Sequence, residues 1–129
     1  MIFKTIKLKN FRQYKGIHSY DFSQPGDGNI TLLIAENGVG KTTFIQAFRF
    51  CFYGNLKNNK YLNLPNPEEL LNDTLVHELE DNDTAETYVE ITFSHKDTNY
   101  VMHRKLESIK QNNKMIQIGE GSTLSYSTV

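Results

Sequence analysis

Three observations predict an α/β fold for this chain of 129 residues. Ile30, Leu32, Leu33 and Ile34 form a short, nearly unbroken apolar run, the mark of a strand covered on both faces inside a sheet. A small loop, Ala35-Glu36-Asn37-Gly38-Val39-Gly40, then leads through Lys41, Thr42 and Thr43 into a helix carrying Phe44, Ile45, Ala47, Phe48, Phe50, Cys51 and Phe52. On both sides of this unit lie segments that alternate with a period of two, as strands buried on one face do.

The elements follow in order. Residues 2–9 set Ile2, Ile6 and Leu8 on one parity and Thr5, Lys7 and Lys9 on the other. Asn10 to Gly16 reads as a turn-rich link. Ile17 to Phe22 alternates again and groups His18, Tyr20 and Phe22, so the two segments predict an antiparallel pair. Ser23 to Asn29, broken by Pro25, Gly26 and Gly28, is a loop that delivers the chain to the central strand. The helix is expected to end near Tyr53, with Gly54 in the left-handed C′ position. After a polar loop, Asn66 as N-cap, Pro67 at the first helical position and Glu69 two residues later predict a short helix from which Leu70, Leu71 and Leu75 pack. Val89, Ile91 and Phe93 alternate with Glu90, Thr92 and Ser94, and a turn at Lys96–Asn99 returns the chain along Tyr100–Leu106. Met115–Ile118 adds a third strand; from Gly119 onward no element is predicted.

Composition narrows the function classes. A net charge of −1 gives no general attraction to nucleic acid. The charges are nevertheless segregated: Lys4, Lys7, Lys9, Arg12 and Lys15 open the chain without an acid, while Glu68 to Glu90 is strongly acidic. The single cysteine excludes an internal disulfide and fits a reducing cytoplasm. No leader or membrane span is expected, since no apolar run approaches the roughly 18 residues a span needs. His18, His77, His95 and His103 are dispersed without metal-ligand spacing, and the Glu78–Asp83 acids lack the spacing and glycine of a Ca²⁺ loop.

The loop itself carries the chemistry. A nucleoside triphosphate presents several negative charges, and the start of a helix offers N–H groups with no internal partner at the positive end of its dipole. Gly38 and Gly40 let the backbone of Glu36, Asn37, Gly38, Val39 and Gly40 curl around the phosphates. Lys41 is expected on the β- and γ-phosphates, the Thr42 hydroxyl on Mg²⁺ and the Thr43 hydroxyl and amide near the α-phosphate. Ala35 stands where the pattern G-x-x-x-x-G-K-[ST] has its first glycine, the mildest replacement possible. ATP and Mg²⁺ are therefore the expected cofactors.

With the opening strand and KNFRQYKG, the strand SYDF, the stretch AENGVGKTTFIQAFRFCFYG and the hairpin YVEITFSHKDTNYVMHRKL, residues 1–106 resemble the N-terminal ATPase half of SMC-like and RecF-like ABC-type ATPases. Within that group the chain is most similar to DndD-type ATPases of DNA sulfur modification or to SMC-like subunits of Lamassu-type defence systems. The resemblance implies the N-terminal lobe of a head domain, a P-loop fold with a mixed sheet and antiparallel hairpins, in which Asn10 and Arg12 lie near the nucleotide. It implies a homodimer of heads that sandwiches ATP, action on DNA in repair, modification or anti-phage defence, accessory nuclease or defence subunits, and a coiled coil. No Walker B Asp-Glu, Ser-Gly-Gly signature or assignable Q-loop glutamine is present in the sequence, so a fragment unable to turn over ATP alone is expected. The alternatives are a scaffold that binds nucleotide without turnover and a RecF-like head gating a fused nuclease.

Overall fold

The computed structural model describes residues 1–22, 41–54 and 70–128. Five strands, β1 (Ile2–Phe11), β2 (Tyr14–Asp21), β3 (Thr84–His95), β4 (Thr98–Gln111) and β5 (Lys114–Thr128), form one sheet in the order β2-β1-β3-β4-β5. Every pairing in it is antiparallel. The expected central strand Ile30–Ile34, which a mixed sheet requires, lies outside the described residues, as do the loop Ala35–Gly40 and the cap formed by Asn66, Pro67 and Glu69.

One face of the sheet is apolar and the other polar, which is why the strands alternate. Ile6, Leu8, Val89, Ile91, Phe93 and Leu106 share the covered face. Helix α1 (Lys41–Tyr53) lies on it, inserting Phe44, Ala47, Phe50 and Cys51, with Phe48 and Phe52 packed at the margin. Ile45, 53% exposed, and Tyr53 stand on the outer side, so the helix is buried over only part of its circumference. Phe3 gathers Phe22, Phe48, Phe52 and Phe93 around itself at centroid distances of 5.1–6.5 Å. The opposite face carries Lys9 beside Glu86 at 3.6 Å and His103 beside Glu90 at 3.0 Å.

Several boundaries differ from expectation, each for a local reason. The first link is not a seven-residue connection: pairing continues to Phe11↔Tyr14, and only Arg12 and Gln13 form the turn. The later hairpins also close through two residues, Lys96-Asp97 and Asn112-Asn113, all four at positive φ (48°, 60°, 52° and 61°). Such turns match the twist of the strands they join, so the strands extend further than their apolar residues reveal. The irregular tail is strand as well. Beyond Gly119 it is exposed on both sides at the sheet edge, so it has no apolar parity to read, yet its backbone pairs with β4 as far as Thr128. Finally, Leu70, Leu71 and Leu75 do not belong to one helix. Leu71 bridges to Phe11, and Asn72 caps a separate helix α2 (Asp73–Glu78) by accepting from Leu75 N.

Candidate functional site

Helix α1 begins at Lys41. The N–H groups of Lys41, Thr42 and Thr43 therefore have no acceptor within the helix, and no acidic residue occupies the first turn to repel an anion. Of Lys41 and Thr42 the helical backbone is described; Glu36, Asn37, Gly38, Val39 and Gly40 lie outside the described residues. Thr43 is buried, and its hydroxyl donates a hydrogen bond to Oε1 of Gln13. That bond ties the β1–β2 turn to the first turn of α1.

The turn is built for position. Arg12, at φ 49°, and Asn10, at φ 50°, both occupy the left-handed region that a non-glycine residue enters only when its surroundings hold it there. Here the surroundings do so from three directions. Arg12 N donates to Leu70 O at 2.7 Å, and Asn72 N donates to Asn10 O at 3.0 Å. Asn72 Nδ2 donates to Arg12 O at 2.6 Å. The Asn10 side chain donates to Glu86 O at 3.1 Å and accepts from Gly16 N at 2.8 Å. Thr87 Oγ1 donates to Lys9 O at 2.9 Å.

Two expected site residues thus take different parts. Asn10 is mostly buried, and its amide is engaged in holding the turn. Arg12 is half-buried and lines an open cleft of about 340 Å³ with Gln13, Leu71, Asn72, Asp73 and Thr74. Among the described residues its guanidinium has no ion-pair partner. The segregated charges of the sequence explain why this matters: folding brings Lys9 to Glu86 and Lys15 to Glu78, the latter at 2.6 Å, and leaves Arg12 out of the pairing.

Beside the turn, Tyr14 and Tyr20 of β2 rest their rings on Phe44 at centroid distances of 6.0 and 5.3 Å, fixing the hairpin to α1 through apolar contact. Burial, with Tyr20 nearby, pushes the Tyr14 phenol above its ordinary range, so it stays protonated at neutral pH. Among the described residues no three His, Cys, Asp or Glu side chains gather as a metal site, and no helix is long and apolar enough to cross a membrane.

Sequence reasoning missed Gln13 and Asn72. Gln13 has no signal beyond adjacency to Arg12. Asn72 has one: an Asn directly before Asp73 is itself a helix-start pattern, overshadowed by the stronger Asn66-Pro67 upstream.

The family model described as an AAA domain matches residues 5–128. A protein of Methanococcus maripaludis named DNA double-strand break repair Rad50 ATPase is 28% identical over 129 residues, an alignment that takes in all of this chain and 11% of that protein. The chain therefore spans about a tenth of the length of the curated relative it matches.

Proposed function

This chain belongs to the AAA domain family, and on that premise we propose that it is the ATP-gripping part of an SMC-like ATPase head, which pairs with a second head around ATP and acts on DNA. The observation that carries the reading is the docking of the Arg12–Gln13 turn onto the first turn of α1, which attaches a turn bearing a cation, unpaired among the described residues, to a helix start whose first amides have no acceptor within the helix. Those amides and the cation suit the phosphate tail of a nucleotide. In this reading Lys41 grips the β- and γ-phosphates, Thr42 supplies a hydroxyl to Mg²⁺, and Arg12 adds charge from the side. Mg²⁺, when bound, would supply charge neutralisation to the phosphates. Hydrolysis needs a further carboxylate and an oriented water, which the family resemblance assigns to a C-terminal half and to the facing head.

Repair of DNA breaks is the role in the archaeal relative's name, and it is the biological role proposed here. DndD-like DNA modification and Lamassu-like defence are finer readings, separated by the sequence of the C-terminal half and by the neighbouring genes. The biochemical core of the proposal is tested by Lys41→Ala in the full-length protein. ATP affinity is expected to fall by about a hundredfold or more, since the phosphates lose a charge-assisted partner. ATP binding equal to the wild type would remove the phosphate-loop assignment.

A further inference from the structure

We infer that Gln13 is a positioning residue of the nucleotide site, acting through the Thr43 hydroxyl; this rests on the nucleotide-binding reading above. Gln13 sits in the turn of the β1–β2 hairpin and accepts the Thr43 hydroxyl proton across 30 positions of sequence. Thr43 is 1% exposed, so no water competes for that proton. The geometry gives the bond a task that packing cannot perform. Tyr14, Tyr20 and Phe44 hold the hairpin against α1, but ring contacts at 5.3–6.0 Å tolerate sliding, whereas a hydrogen bond fixes one distance and one direction. On the far side of the turn, Asn72 fixes the backbone through Asn10 O and Arg12 O. Gln13 is thus the polar link from a turn already held on one side to the helix whose first amides face the phosphates. Arg12, its neighbour, is placed by both attachments at once.

The hydroxyl has a single proton, and Gln13 takes it. Thr43 therefore contributes to phosphate binding through the placement of its backbone and not by donating its hydroxyl, unlike the expectation from sequence. If this is the arrangement, removing the acceptor and removing the hydroxyl break the same connection, and their effects do not multiply.

The test is a double-mutant cycle in the full-length protein, with ATP affinity measured by calorimetry well below the melting temperature of every variant. Gln13→Met keeps the length of the side chain without the acceptor, and Thr43→Val keeps the shape of the threonine without the hydroxyl. Gln13→Met is expected to weaken ATP binding about fivefold, one hydrogen bond's worth, and to have no further effect in the Thr43→Val background. A fivefold loss in both backgrounds, or no loss in either, overturns the inference. Lys41→Ala run alongside keeps the two claims apart: if it abolishes binding while the cycle shows no coupling, the phosphate loop stands and the role of Gln13 falls.

Discussion

The two ends of helix α1 are each attended by an arginine, and the two arginines are treated in opposite ways. At the C-terminal end, Arg104 of β4 donates from Nε to Cys51 O at 3.1 Å and lies 3.5 Å from Glu120. It satisfies a carbonyl the helix leaves open, places positive charge where the helix dipole is negative, and has its own charge balanced. At the N-terminal end, Arg12 belongs to the turn that the Gln13–Thr43 link ties to the first turn of α1; it shares a cleft with Asp73 and, among the described residues, forms no ion pair. Arg12 in the turn and Asn10 before it sit at φ 49° and 50°. On the function proposed above, the comparison separates an arginine that stabilises the helix from one that serves the nucleotide.

The largest expected effect breaks the first half of this comparison. Arg104→Ala leaves Cys51 O and Glu120 without their partner under the helix and should cost about 3 kcal/mol of stability. Denaturant unfolding reads this as a lower midpoint, while ATP affinity of the folded protein stays within about twofold. A change in affinity without loss of stability would show that the C-terminal end also serves the nucleotide.

Gly54 sharpens the same point. It occupies φ +70° after the last turn and donates to Phe50 O at 2.9 Å. A Cβ there would meet Arg104 Nη1 at 2.9 Å. Arg104 can yield only by giving up Cys51 O, so Gly54→Ala combines a left-handed alanine with a displaced arginine, about 2 kcal/mol together. In the Arg104→Ala background the steric part of that cost should vanish, which a double-mutant cycle in urea detects.

At the other end the expectation reverses. Arg12→Ala should reduce ATP affinity about twentyfold, through loss of a charge-assisted phosphate contact, while leaving the unfolding midpoint unchanged or slightly higher. A stability loss comparable to that of Arg104→Ala would erase the distinction between the two arginines.

The contrast also explains what the sequence could reveal. The C-terminal end was legible in outline, because a left-handed glycine after an apolar helix is a local signal and Gly54 provides it. The strands were legible where one face is buried, as with Ile6 and Leu8 or Val89 and Ile91. Their ends were not, because type I′ turns at Lys96-Asp97 and Asn112-Asn113 and the two-sided exposure of β5 leave no periodic trace. At the N-terminal end the motif around Lys41 named a ligand class and the family resemblance brought in Arg12. The parts that place Arg12 were hidden. Gln13, Asn72 and Thr87 act through side-chain hydrogen bonds to residues 30, 60 and 78 positions away, and a bond of that kind depends on topology, not on composition or spacing.

The smallest effect probes the interior between the two ends. Cys51 is fully buried, and its thiol lies 3.4–3.5 Å from the carbonyls of Met102 and Val89. Burial pushes its pKa up to about 12, against the Arg104 charge, which pulls it down. In the unfolded chain the thiol titrates near its ordinary 9.0. A group whose folded pKa is raised holds its proton longer in the native state, so above the ordinary value the native state binds more protons and stability falls as pH rises. The loss begins near pH 9 and grows toward pH 12, reaching about 1 kcal/mol by roughly pH 10. Cys51→Ala should remove that part of the alkaline slope even though it lowers stability at neutral pH by opening a small cavity. The charge of Arg104 opposes the shift, so Arg104→Ala should raise the thiol pKa further and begin the loss at the same pH but carry it higher. An alkaline slope identical in the wild type and in Cys51→Ala would mean that the thiol ionises as readily inside the protein as outside, and that the helix is not seated on the sheet as tightly as its locked C-terminal end requires.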